Sequence, residues 1–323
     1  MNGTAFEEIP FIDVAPLYGE DSEATLALSA SCRSTLREVG FAYIVNHAVP
    51  KKLVERVRDE SKKFFALSPE DKNALAINEW HRGYMTSNSS TIVTSTVAKN
   101  TRPNQSESFM VMHELPPDDP DRLAGKPLAG PNQWPAQQPA LRDTVREYVN
   151  AMEDLSRRLT QLIALCLDLP QDYFGPFFER PTTFLRLLRY PPTSAEEGLF
   201  GSAPHTDYGF ITLLAQDELG GLEIRNKAGD WIPAPPVPGS FVMNVADILT
   251  HWSGGLFAST PHRVINASGR DRYSQPFFFD PSMDAIITPV AGDRRDAPTI
   301  RYGDYLMERL DKNYRYRGAP EAE

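Results

Sequence analysis

Cysteine is nearly absent from this chain: Cys32 and Cys166 are its only two. Each sits among apolar neighbours in a segment of helical periodicity. That pattern points to buried free thiols, not to a disulfide framework, and two thiols alone cannot build a zinc or iron–sulfur site. Long apolar runs are missing as well. No stretch of about 18 apolar residues occurs, which excludes a membrane-spanning helix. Residues 1–10 lack the basic-then-apolar layout of a secretory signal, so the expected location is cytoplasmic. Basic charge is in deficit, with 33 Lys and Arg against 43 Asp and Glu and a formal net charge of −10. No basic stripe interrupts that balance. Nucleic acid is therefore not an expected partner, whereas a small molecule is.

What is present is a chain of 323 residues, 41% hydrophobic, long enough for one large core. The first half reads mostly helical. Residues 23–39 carry Leu26, Ala30, Arg33 and Arg37 on alternating faces, and Gly40 ends that helix before the strand-like FAYIV at 41–45. Residues 51–66 are helical again, and Ser68, Pro69 and Asp71 form a helix-start signal. Polar residues 85–108 and the Pro/Gly/Asp cluster at 116–139 read as loops. Leu141, Val145, Tyr148, Met152, Leu155, Leu159, Leu162 and Cys166 mark one long helix over 139–168.

From about residue 182 the period shortens to strands: 184–190, 210–215, 221–225, 240–245, 262–266 and 272–279, with turn residues between them. A last helix spans about 302–314. The expected architecture is mainly β with flanking helices, a sandwich or barrel. Its segments are an N-terminal helical region (1–180), a β core (181–285) and a C-terminal helical segment (286–323), in one structural unit.

The chemistry gathers around His205-Thr206-Asp207. Residues two apart on a strand share a face, so His205 and Asp207 can reach one ion together. His262 lies on a later strand, where a sandwich can fold it opposite the first pair. Two histidines and one carboxylate suit ferrous iron, which keeps open coordination positions; zinc is the alternative. His47, His81 and His113 have no partner at ligand spacing. His251, in a predicted turn, is assigned a structural or solvent-facing role, with substrate contact as the alternative.

Arg272 and Ser274 share a strand face with Pro276 and Phe278. Arginine offers a planar fork for a carboxylate, and serine adds one hydrogen bond. An arginine pointing inward needs an anion. A dicarboxylate keto acid such as 2-oxoglutarate supplies it; an internal pair with Asp247 is the alternative. Tyr190 can donate to the same carboxylate. Arg186 and Leu188 share its face, making Arg186 a second inward-pointing arginine, unless it exits to solvent.

GFAYIVNHAVP (40–50), RGYM (82–85), LRYPP (188–192), HTDYGFITLL (205–214), GGLEI (220–224), MNVADILTHWSGG (243–255), PHRV (261–264) and RYSQPFFFDP (272–281) resemble the isopenicillin N synthase-like branch of the Fe(II)/2-oxoglutarate-dependent dioxygenases. The resemblance runs from about residue 9 to residue 305, in the family's motif order. It implies a distorted double-stranded β-helix (jelly roll), Fe(II), 2-oxoglutarate as co-substrate, and O2-dependent oxidation of a small molecule with release of succinate and CO2. By position it implies His205, Asp207 and His262 as iron ligands, Arg272, Ser274 and Tyr190 at the 2-oxoglutarate carboxylate, and Asn244 near the keto-acid end. LRLLRYP and HTDYGFITLLAQD are most similar to thymine 7-hydroxylase-type members, in which the positions of Arg186, Tyr208 and Phe278 contact a flat base. Thr183 replaces an asparagine of that pocket, and the Ser/Thr-rich loop 86–106 departs from the corresponding pattern. An oxidase of the same fold that does not use 2-oxoglutarate and a non-catalytic ligand-binding jelly roll are the alternatives; the latter predicts a broken triad.

Overall fold

A computed structural model describes residues 5–95, 97–98, 100–192 and 199–317. Positions 96 and 99 of the expected loop, and both chain ends of the expected segments, lie outside those residues. The first half runs β1 (Phe11–Asp13), α1 (Ser22–Glu38), β2 (Phe41–Val45), α2 (Lys51–Phe65), α3 (Pro69–Asn73), β3 (Gly83–Met85), β4 (Glu107–Met112), α4 (Pro120–Leu123) and α5 (Pro139–Cys166). The Asp21 carboxylate caps α1 by accepting from the backbone N–H groups of Glu23 and Ala24. Gly40 then turns the chain with φ +71°, and a Cβ there would lie 2.0 Å from the Ala258 carbonyl oxygen, so only glycine fits. The buried side of α1 is Ser29, Cys32 and Leu36, whereas Leu26 faces solvent. Cys32 and Cys166 are buried free thiols.

The second half supplies β5 (Thr182–Tyr190), β6 (Ser202–His205), β7 (Ile211–Gln216), β8 (Leu222–Arg225), β9 (Trp231–Pro233), β10 (Phe241–Val245), α6 (Asp247–Trp252), β11 (His262–Val264), β12 (Arg272–Asp280) and α7 (Tyr302–Asn313). An eight-stranded sheet has the order β1-β2-β10-β7-β12-β5-β4-β3, and a four-stranded sheet the order β6-β11-β8-β9. Phe41, Tyr43, Leu188, Tyr190 and Val242 of the large sheet pack against Leu222, Ile224 and Val264 of the small one, which closes the jelly roll. The outer face of the large sheet is covered by α1, α2 and α5. The expected stripe of α5, from Leu141 to Cys166, is buried throughout. Truncating one such leucine typically costs about 2–5 kcal/mol, so this helix is a principal anchor of the sheet.

Residues 1–180 are not only helical: they contribute β1, β2, β3 and β4 to the large sheet. Loop 85–108 is bounded by strands, since Met85 ends β3 and Glu107 and Ser108 begin β4. β4 is buried at every position, so ESFMVM has no period-two alternation to betray it. β1, β6 and β9 have three or four residues each, too few for a periodic signal. His251 lies near the end of α6 and not in a turn; its Nε2 donates to the Pro298 carbonyl oxygen (2.9 Å). Among the described residues no helix is long and apolar enough to cross a membrane.

Register sets the inner surface of the large sheet. Asn244, Thr212, Phe278, Phe184 and Met112 lie in one cross-strand row. Arg186, Met110 and Gly83 lie in the next row, and Ser274 with Leu188 in the one after. Arg272 and Tyr190 pair at the far end. The arginines at 186 and 272 therefore occupy different depths of one cavity-facing surface.

Candidate active site

β6 and β11 are antiparallel neighbours with His262 opposite His205. Their rings lie side by side, centroids 4.2 Å apart. Asp207 lies beyond the end of β6, so strand alternation does not bring it to the histidines. Its backbone oxygen accepts from Asp247 N (2.9 Å), and its Oδ2 accepts from Thr212 Oγ1 (2.6 Å) and Asn244 Nδ2 (2.9 Å). Oδ1 is left toward His205 Nε2 (3.6 Å) and His262 Nε2 (3.8 Å). Nδ1 of His205 meets the Ala203 carbonyl oxygen (2.7 Å) and Nδ1 of His262 the Thr260 carbonyl oxygen (3.4 Å). A proton on each Nδ1 leaves each Nε2 lone pair free. One potential ligand atom from each of the three residues lies within 4.8 Å of the others.

Burial alone would raise the Asp207 carboxyl. The charge of His262, together with His205 and Thr212, outweighs burial and holds it well below the usual carboxylate range. Burial, then repulsion by His205, lowers His262 to about 4. At neutral pH these two present an ionised carboxylate and a neutral imidazole, the protonation states a metal needs.

Arg272 is 1% exposed. Its Nε donates to the Gly220 carbonyl oxygen and its Nη2 to Gln216 Oε1 (3.3 Å), while Nη1 is buried without a partner. The guanidinium stacks over the Tyr190 ring at 4.8 Å, and Ser274 Oγ lies 3.5 Å from the Tyr190 hydroxyl. Asp247 does not pair with it: that carboxylate accepts from Ser259, Thr206 and Tyr305. Asn244, expected near the keto-acid end, donates to Asp207 Oδ2 beside the histidine pair.

A cavity of about 110 Å³ opens beside the triad and is bordered by His205, Asp207, Tyr208, Arg186 and Phe278. Phe184, Met110, Leu306 and Leu310 give it apolar walls. Among the described residues Arg186 has no hydrogen bond or ion pair, and its Nε is buried without a partner. The Tyr208 hydroxyl accepts from Asn313 Nδ2 of α7, which also donates to Thr94 Oγ1 (2.7 Å). Thr183 points to the opposite face of β5 from Phe184 and Arg186 and does not line this space. A larger cleft of about 790 Å³, between α5 and the 114–134 loop, holds none of the expected site residues. Several of its charges are already paired, such as Arg180 with Asp119 and Lys126 with Asp284. His81, passed over for lack of ligand spacing, lines the small cavity, whereas His47, His113 and His251 do not.

The 2OG-Fe(II) oxygenase superfamily profile matches residues 181–281, and the profile of the non-haem dioxygenase in morphine synthesis N-terminal region matches residues 9–137. A 2-oxoglutarate-Fe(II) type oxidoreductase, hxnY of Emericella nidulans, is 35% identical over 94% of this chain and 90% of its own length. The chain belongs to the 2OG-Fe(II) oxygenase superfamily. A homoarginine-6-hydroxylase of Glycine max is 33% identical over 96% of this chain and 98% of its own. The crystal structure of the full-length thymine 7-hydroxylase of Neurospora crassa with alpha-KG and thymine superposes with a TM-score of 0.82 at 28% identity, covering 94% of this chain and 96% of that one.

This oxygenase is thus a double-stranded β-helix enzyme that uses Fe(II) and 2-oxoglutarate to oxidise a small molecule. The donor set fits both groups: His205, Asp207 and His262 suit an iron ion, and the orphaned Nη1 of Arg272 suits a carboxylate.

One carboxyl at the cavity's edge has a consequence for stability. Asp280 accepts from Phe210 N (2.7 Å) and from the Tyr302 hydroxyl (2.7 Å), yet burial outweighs both and raises it to about 7. The folded protein keeps this proton where an unfolded aspartate, with a pKa of about 4, has lost it. Stability therefore falls as pH rises from about 4 to about 7. In the metal-free protein, Asp280→Asn is expected to gain melting temperature relative to wild type between pH 5 and pH 8. A difference between the two proteins that is the same at both pH values contradicts this.

Proposed function

We propose that His205, Asp207 and His262 hold the iron, that Arg272, Ser274 and Tyr190 bind the far carboxylate of 2-oxoglutarate, and that a cytoplasmic enzyme hydroxylates a compact substrate lying against Arg186, Tyr208 and Phe278. When bound, the iron and 2-oxoglutarate supply the oxidising chemistry, in which O2 is consumed and the keto acid becomes succinate and CO2. Thr212 and Asn244 engage Asp207 Oδ2, so the carboxylate presents Oδ1 in one orientation. Arg272 neutralises the co-substrate's carboxylate in a buried setting. Phe184 and Phe278 wall the space in which a C–H bond is held beside the metal.

The observation that carries the substrate part of this proposal is an arginine without a partner, Arg186, in the cavity that His205 and Asp207 also line. A half-buried cation whose Nε is shut off from solvent is best satisfied by an acceptor group in the cavity. Succinate release measured over pyrimidines, amino acids, flavonoids and other small acids tests the reaction. Arg186→Met is expected to weaken primary-substrate binding by about tenfold or more while substrate-uncoupled 2-oxoglutarate decarboxylation persists. A lower melting temperature with parallel loss of both activities would assign Arg186 a structural role instead.

A further inference from the structure

His81 is 1% exposed, adopts φ +63°, and lines the cavity that holds Arg186. Two residues on, Gly83 stands in the cross-strand row of Met110 and Arg186, which brings the His81 loop to the cavity's rim. The ring is held edge-on between Phe184 (5.9 Å) and Tyr314 (4.7 Å). Its Nδ1 meets the hydroxyl of Tyr316, in the short turn Arg315–Arg317 that follows α7. Among the described residues Nε2 has no partner.

These contacts suit the tautomer that carries its proton on Nε2. Burial raises the Tyr316 phenol, and the nearby Arg317 charge opposes that rise. A phenol has one proton to give, and donated to His81 Nδ1 it makes that nitrogen the acceptor of the pair. Burial, then the positive charges of Arg186 and Arg317, keeps the imidazole neutral by lowering it well below its ordinary value. The remaining ring proton is then on Nε2, a donor with nothing to donate to. Two unsatisfied donors, one of them cationic, thus belong to a cavity whose other walls include Phe184, Phe278, Leu306 and Leu310.

We propose that His81 Nε2–H and the Arg186 guanidinium together bind a carboxylate of the primary substrate, which is a small carboxylic acid with an apolar body, and that Tyr316 sets the His81 tautomer for this task. The proposal rests on the oxygenase reading of the site, because it places that apolar body toward His205 and Asp207. At about 110 Å³ the cavity is near the size that takes one ring, since a cavity of roughly 150 Å³ holds benzene.

Benzoate and benzamide, which differ in charge but hardly in shape, are the probes. Calorimetric titrations use the full chain loaded anaerobically with Fe(II) and saturating 2-oxoglutarate, so that Arg272 is already occupied. Wild type is expected to bind benzoate at least about tenfold more tightly than benzamide. His81→Asn, which tolerates a positive φ, is expected to lose most of that preference, and His81→Gln, which restores an N–H at similar reach, to recover part of it. Tyr316→Phe is expected to fall between wild type and His81→Asn. Equal binding of the two probes by wild type, or an undiminished preference in His81→Asn, overturns the carboxylate site. Wild-type benzoate binding by Tyr316→Phe overturns the tautomer role. Fe(II) and 2-oxoglutarate titrations of the same samples report separately on the metal and co-substrate assignments: their failure with the benzoate preference intact would count against those assignments and not against the donor pair.

Discussion

Asp207→Ala is expected to yield a folded protein that has lost iron affinity by more than about 100-fold and shows no measurable turnover. The change removes the one anionic group of the proposed ligand set, whose Oδ1 lies 3.6 Å and 3.8 Å from the two imidazole nitrogens. Altering a group that merely orients a ligand costs about 10–100-fold, so deleting the ligand itself should exceed that. Folding should survive. The substitution strands the Thr212 hydroxyl and an Asn244 N–H, a cost of about 1–3 kcal/mol each at most, against one core that joins the large sheet to α5 and a second between the two sheets. Fe(II) titration, oxygen uptake and a thermal melt check the three parts. Wild-type oxygen consumption by the variant would remove Asp207 from the ligand set.

Arg272→Leu should separate co-substrate binding from stability. The 2-oxoglutarate requirement is expected to rise at least about tenfold, because a charge-assisted hydrogen-bonded pair worth roughly 1.5–3 kcal/mol is lost. Without co-substrate the same change deletes a buried cation whose Nη1 has no partner, in a neighbourhood that includes Leu188 and Leu222. Replacing such a group by a similarly placed apolar one is often neutral or stabilising. The melting temperature of the 2-oxoglutarate-free variant should therefore hold or rise while its apparent co-substrate affinity falls. An unchanged affinity would move the anion site elsewhere or favour an oxidase that does without 2-oxoglutarate.

The strong periodic signals in the sequence became elements with nearly the expected bounds. α5 reads from its apolar spacing, and β5, β7, β10 and β12 from their apolar runs. What stayed illegible has identifiable causes. β4 carries no alternation because both its faces are buried, and its Glu107 is made tolerable by partners distant in sequence, Lys72, Tyr84 and Arg189. Such pairs leave no local trace. His205 and Asp207 were expected to meet through alternation along one strand, but the strand ends at His205, and Asp207 is oriented by Thr212, Asn244 and the backbone of Asp247. His81 was missed because its importance depends on Tyr316, 235 positions away. A motif can reveal ligands on adjoining strands; it cannot reveal a wall assembled from distant loops.

The walls of the cavity beside His205 and Asp207 come partly from strands, which carry Met110, Phe184, Arg186 and Phe278, and partly from elements outside the sheets. His205, His262, Thr212, Asn244 and Arg272 sit on strands of the two sheets, where changing one residue disturbs paired neighbours. His81, Ile92, Asn104, Leu310 and Tyr314 come from loops and from the C-terminal helix and its end, outside the double sheet. The loop and C-terminal part of that wall can therefore change without altering the strands that carry His205, His262 and Arg272. Positions 81, 92, 104, 310 and 314 border the cavity from outside the double sheet, and substitutions there are expected to alter what the cavity accepts while leaving the sheets intact.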